Sequence, residues 1–213
     1  VLDACAATNF TLTSNGSSGN TASIDGTGSG TIACDITVER YKEGCQDGFL
    51  SVSTPFASNN VADWGDDLLI TGLTGGPFPT FWTSIYYYDE TETTSFDAGW
   101  TSPLHYTTDP LVRGRGYWMY AGIADLPAKL VVSGSLDLSS FNFPLTFTNS
   151  GVQDEDGFNL LGNPYPSAID WKSGSGWTKN SCCDAVFVWN ECVDQYASAA
   201  LGSTTNGGST IIE

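Results

Sequence analysis

The sequence predicts an all-β protein, an antiparallel β-sandwich with long loops and a short β-rich N-terminal segment. Three observations lead there. β-branched and aromatic residues are frequent and 24 glycines punctuate them, as in β proteins with many turns. Short runs alternate apolar and polar residues, the clearest being Ile32, Cys34, Ile36 and Val38 against Ala33, Asp35, Thr37 and Glu39. Turn signals separate these runs at regular spacing, and helical periodicity is scarce. A chain of 213 residues builds a sizeable core. It divides into residues 1–31, a Gly/Ser/Thr-rich β segment readable as the end of a preceding repeat, and residues 32–213, the sandwich module, truncated at its C-terminal strand.

Taken in order, Phe10–Thr13 and Thr21–Ile24 are β-like pieces between glycines. The alternating run from Ile32 continues to Tyr41, and Phe49–Ser53 is the next strand, stopped at Pro55. Residues 56–80 form a long connection, in which Val61–Asp67 is amphipathic enough for one or two helical turns. Phe81–Tyr88 is rich in aromatic residues and reads as a central strand. Tyr117–Ala121, Lys129–Gly134 and the alternating Pro144–Thr148 follow. An apolar run, Phe158–Leu161, leads into Gly162-Asn163-Pro164-Tyr165-Pro166. Pro164 and Pro166 lock φ and remove two backbone donors, so a strand ends there in a rigid corner. That corner presents Tyr165, Ile169 and Trp171 for packing, with an aromatic binding shelf as the other reading. Cys183–Trp189 and Gln195–Ser198 form a hairpin around Asn190–Asp194, and Thr210–Glu213 begins a strand that is not completed.

Composition narrows the function classes. Seven Lys plus Arg oppose 24 Asp plus Glu, for a formal charge of −17. Such a chain repels nucleic acid and anionic lipid. No apolar run approaches the roughly 18 residues of a membrane span, so membrane insertion is not expected. The first residue is Val1 rather than Met, which points to a processed or partial chain. Six cysteines (Cys5, Cys34, Cys45, Cys182, Cys183 and Cys192) lack zinc-finger spacing, and an even number in an acidic, lysine-poor chain indicates disulfides and an oxidising setting. The hairpin favours a bridge from Cys192 to Cys182 or Cys183. Asp63, Asp66, Asp67, Asp154 and Asp156 are weak Ca²⁺ candidates, because the spacing of an EF-hand loop is missing. Otherwise no cofactor is expected.

His105 is the only histidine, and no Gly-x-Ser-x-Gly motif accompanies it. Gly114-Arg115-Gly116 is not followed by a helical pattern and is no phosphate loop. The abundance of acids guarantees some carboxylate pairs, so a glycoside hydrolase remains only a second alternative. Of the seven tryptophans, Trp64, Trp82, Trp118, Trp171 and Trp189 are expected to fill the core. Trp100 and Trp177 flank Gly-rich loops and are the expected exposed pair, the ligand-binding residues of a carbohydrate-binding alternative.

Several pieces together resemble a recurrent extracellular module of large surface and secreted proteins of Bacteroidota that leave the cell by the type IX secretion system. They are Ile36–Tyr41, Phe49–Phe56, Ile85–Glu90, Gly114–Met119, Gly157–Trp171, Val186–Asn190 and Gln195-Tyr196. The resemblance spans roughly residues 32–213. It implies surface attachment, scaffolding or display and carries over no catalytic residue. The family's usual closing strand, approximately Gly-Gln-Gly-Phe-Phe, and its C-terminal sorting domain have no counterpart here, and six cysteines depart from its pattern. The expectation is a non-enzymatic structural or adhesive module, extracellular, self-assembling into a fibre or surface layer. Its partners would be other copies or other surface proteins, joined by strand addition, with glycans as the alternative.

Overall fold

The computed structural model describes residues 10–16, 20–24, 32–151, 156–171, 176–182, 185–200, 203–204 and 211–212. The strands in chain order are β1 (Phe10–Leu12), β2 (Ser14–Asn15), β3 (Asn20–Thr21), β4 (Asp35–Lys42) and β5 (Gly48–Val52). They continue with β6 (Ile85–Tyr88), β7 (Trp100–Thr101), β8 (Tyr117–Ala121), β9 (Ala128–Ser135) and β10 (Ile169–Asp170). The last are β11 (Val186–Asn190), β12 (Gln195–Ala200), β13 (Ser203–Thr204) and β14 (Ile211–Ile212). Among the described residues the helical pieces are short 3₁₀ turns at Val61–Trp64, Asp97–Gly99 and Ile123–Asp125. The protein is all-β.

Two sheets supply the core. One has the order β1-β4-β9, the other β5-β8-β6-β7. β4 and β9 run antiparallel over their full length, from Asp35 opposite Ser135 to Lys42 opposite Ala128. β1 joins β4 in parallel, with Phe10 opposite Ile36. Leu12 is buried in the common core, so this part of the N-terminal segment packs with the body of the domain. Alternate residues point inward: Ile36, Val38, Leu130 and Val132 from the first sheet, and Leu50, Val52, Ile85, Tyr117, Met119 and Ala121 from the second. They form one hydrophobic cluster, to which the long 53–84 connection adds Phe56, Val61, Trp64, Leu68, Ile70 and Leu73.

That connection also guards an edge. β9 is the outer strand of its sheet, and a bare edge strand invites pairing with another chain. Asp67 Oδ2 accepts from the Val131 N–H at 2.6 Å, and Asn59 Nδ2 donates to the Ser133 carbonyl at 3.0 Å. Side chains therefore occupy the edge groups that a foreign strand would need. Asn60 caps the 3₁₀ turn, accepting from the Ala62 N–H at 2.9 Å, while Asp63 accepts from the Asn60 N–H at 2.8 Å.

Several expected strands are shorter or missing: β4 begins at Asp35 rather than Ile32, and β3 is Asn20–Thr21 rather than Thr21–Ile24. β6 begins at Ile85, not Phe81, because Thr71 and Ser84 close residues 72–83 into a loop: the Thr71 hydroxyl donates to the Trp82 carbonyl at 2.7 Å. β6 does lie inside its sheet, between β8 and β7. Residues 144–148 form no strand despite their alternation. Their backbone is satisfied by side chains instead, Thr146 N–H by Asn159 and Thr148 N–H by Glu90. Residues 158–161 contribute a single bridge, Leu161 opposite Arg115.

Candidate functional site

The outer face of the β5-β8-β6-β7 sheet is the most distinctive surface. Period two places Phe49, Trp118, Tyr120, Tyr86, Tyr88 and Trp100 together on it, opposite the buried core face. Their rings touch in sequence across the strands. Trp118 stacks on Trp100 at 4.5 Å between centroids and on Phe49 at 5.5 Å. Trp100 meets Tyr88 edge-on at 5.2 Å, and Tyr88 contacts Phe96 at 5.2 Å. At the other end, Phe49 meets Tyr120 at 5.5 Å and Tyr120 meets Trp82 at 4.9 Å.

The β11–β12 hairpin covers the middle of this strip. Trp189 lies 5.0 Å from Trp118 and donates its indole N–H to the Phe49 carbonyl at 3.0 Å. Tyr196 packs against both Trp189 and Trp118. The hairpin tip is bolted down by the Cys45–Cys192 disulfide, with Cα atoms 5.0 Å apart, and by Gln46 donating to the Glu191 carbonyl. The bridge corrects the expected partner of Cys192. β11 runs for five residues between Cys182 and the tip, roughly 16 Å of strand, and a disulfide tolerates only about 7 Å between Cα atoms. Cys182 is unbridged, Cys34 is also disulfide-bonded, and Cys183 lies outside the described residues. The disulfides fit an oxidising environment. No described helix is long and apolar enough to cross a membrane.

Trp100 and Trp177 are not an exposed pair. Both are half-buried and belong to separate ring clusters. Trp100 is drawn into the strip because β7 sets it opposite Tyr88. Trp177 stacks on Phe143, meets Trp171 at 4.9 Å and donates to the Asp170 carbonyl. The Lys179 ammonium sits 4.2 Å from the Trp171 ring centre. Of the five tryptophans expected in the core, only Trp64 is fully buried; Trp118, Trp171 and Trp189 are half-buried. Trp82 is the most exposed, at 54%. Glycine-rich flanks did not report exposure, because strand pairing decides where a ring points.

The Asn163–Pro166 corner is a structural joint. Asn163 is buried, donates to the Ser167 carbonyl at 2.6 Å and accepts from the Tyr165 N–H. Arg113 donates to the Pro164 carbonyl and forks onto Asp137, its guanidinium lying over the Phe141 and Tyr165 rings. Hydrogen bonds from Ser139, with Arg113 adding to them, hold the Asp137 carboxyl down at about 2. Pro164 and Pro166 are buried and Tyr165 and Trp171 half-buried. A Cβ at Gly162 would overlap the Arg115 carbonyl, so only glycine fits this crossing.

A small open recess at the Tyr88–Phe96 end gathers Glu90, Glu92 and Asp156. Each carboxylate is already engaged. Buried Glu90 accepts from Thr148 and from the Gly157 N–H; burial raises its pKa, but these donors outweigh it and the net shift is downward. Glu92 accepts from Thr94, and Asp156 from Ser150. The Ca²⁺ candidates divide accordingly: Asp63 serves the cap, Asp67 the β9 edge and Asp156 a loop, Asp66 is exposed, and Asp154 lies outside the described residues. No group of three or more His, Cys, Asp or Glu able to hold a metal occurs among the described residues. His105 is half-exposed and pairs with Asp109 at 3.3 Å. Searches against protein-family models, curated proteins and solved structures find no match for this chain.

Proposed function

We propose that this chain is a non-enzymatic, extracellular structural or adhesive module that assembles through the open edge of β11 with other copies of itself or with other surface proteins. The observation that carries this reading is a difference between two edges. The β9 edge is capped by Asp67 and Asn59, whereas β11 pairs on one side only among the described residues. β11 also exposes consecutive apolar side chains on opposite faces, Phe187 at 52% and Val188 at 38%. An incoming strand would gain main-chain hydrogen bonds and cover both side chains. The Cys45–Cys192 disulfide suits a module that works outside the cell, which is also the setting of the type IX-secreted family that the sequence resembles, although the cysteines are not part of that family's pattern.

Sedimentation velocity across a concentration series tests this. The wild-type chain should self-associate, more strongly as salt screens its net charge of −17. The Phe187→Asp/Val188→Lys double variant should stay monomeric with an unchanged melting temperature. A wild-type chain that is monomeric at every concentration and salt level, or a variant that associates equally well, contradicts assembly through β11.

A further inference from the structure

We propose that the loop between Thr71 and Ser84 is a binding site for a neutral polysaccharide, with Trp82 as the stacking surface and Phe81 and Phe78 beside it. The first support is exposure. Phe78, Phe81 and Trp82 are 42%, 60% and 54% exposed, and every residue from Pro77 to Trp82 faces solvent. The other tryptophans are half-buried or buried. Trp100, Trp118 and Trp177 spend a face on a stacked neighbour, whereas Trp82 meets one ring, Tyr120, nearly perpendicular at 79°. At least one indole face is therefore clear of other described rings.

The second support is rigidity. Gly72 N–H donates to the Phe78 carbonyl at 2.9 Å, Ser84 N–H to the Thr71 carbonyl, and the Thr71 hydroxyl to the Trp82 carbonyl at 2.7 Å. The Thr71 N–H is held by Ser84 Oγ, and Thr74 exchanges backbone hydrogen bonds with the 104–106 segment. Pro77 and Pro79 fix two further φ angles. The loop backbone that displays the rings is thus held in place, which lowers the ordering cost on binding. Trp82 keeps one edge-on contact, with Tyr120, and Phe78 and Phe81 meet each other, yet all three rings stay exposed on one loop, as in an apolar binding patch.

Charge selects the ligand class. From Leu68 to Ser84 the chain carries no Asp, Glu, Lys, Arg or His, within a protein of net charge −17. The loop offers rings and the exposed threonines Thr74 and Thr80 and itself carries no ion for a basic peptide or an anionic lipid; the neighbouring His105, bridged to Thr74, is paired with Asp109. A neutral sugar chain matches both parts: its C–H faces stack on aromatic rings, and its hydroxyls pair with threonine hydroxyls.

Native gel electrophoresis through xylan, mixed-linkage β-glucan, glucomannan and dextran, with cellulose and chitin pull-downs, tests the proposal on the full chain. At least one of these should retard or capture the wild type. Trp82→Ala should weaken that binding by about tenfold or more at an unchanged melting temperature. Phe147→Ala, which removes a 73%-exposed ring outside the loop, should bind like wild type, and so should Phe187→Asp on the β11 edge. Absence of binding to all six polymers overturns the proposal, as does full binding by Trp82→Ala. Trp82-dependent binding to phosphatidylcholine vesicles without polysaccharide binding also overturns it and makes the loop a lipid anchor.

Discussion

The two faces of the β5-β8-β6-β7 sheet are built from alternate residues of the same strands, yet they are held by different physics. The inner face is Leu50, Val52, Ile85, Tyr117, Met119 and Ala121, all at 7% exposure or less. The outer face is Phe49, Tyr86, Tyr88, Trp100, Trp118 and Tyr120, all half-buried. Inside, packing into the common hydrophobic cluster removes nearly all of the apolar surface from water. Outside, rings pack on one another beneath a narrow hairpin tied down by the Cys45–Cys192 disulfide. Even so, the lid leaves the Trp118 indole N–H sealed and without a hydrogen-bond partner among the described residues. Aromatic content alone therefore does not report the core here: Phe56, Trp64 and Tyr117 are buried in it, while the rings of the outer face form a separate layer.

The largest effect should come from the bolt. Cys45 and Cys192 are 147 residues apart, and in the chain-entropy model closing such a loop is worth about 5 kcal/mol. The Cys45→Ala/Cys192→Ala variant should lose about 3–5 kcal/mol in urea unfolding, together with the near-ultraviolet dichroism of the outer rings. A loss below about 1 kcal/mol would mean that the rings hold the hairpin unaided. Next come the two neighbours on β5. Leu50→Ala should cost about 3 kcal/mol and Phe49→Ala about 1–2 kcal/mol, because only the first opens a closed cavity. Equal losses would erase the distinction between the faces.

The smallest effects are in pH dependence and have opposite signs. Burial raises the Asp67 carboxyl above its usual 3.8, against the hydrogen bond from Val131, with repulsion from Asp66 adding to it. A raised carboxyl pKa means that stability falls as pH rises from 3.8 through the folded value. Glu90 is lowered below 4.5, so its contribution is present above that pH and is lost as pH falls through the folded value. Asp67→Asn should flatten the first slope in melting temperature, and Glu90→Gln the second. An unchanged pH profile in either variant removes the assigned role of that carboxylate.

Much of the fold was legible in the sequence. The β class, the core positions Ile36 and Val38, the strands near 117–121 and 129–134, the turn at Val61–Trp64 and the hairpin at 186–198 follow from period two, β-rich aromatic runs, amphipathic patterning and turn chemistry. These signals are local, and local geometry enforces them. What local signals missed involves distant partners. Alternation at Pro144–Thr148 predicted a strand, but Glu90 and Asn159 reached its backbone first. Gly-rich flanks singled out Trp100 and Trp177, while the exposed indole was Trp82, displaced from β6 by the Thr71 hydroxyl. Hairpin proximity pointed Cys192 toward Cys182 or Cys183, yet its partner is Cys45 across the aromatic layer. Preferences for strand and turn are settled within a few bonds, so they can be read from the residues alone. Which backbone groups are capped, which edge stays unpaired among the described residues and which rings meet water follow from the tertiary structure, because each depends on groups far apart in the chain.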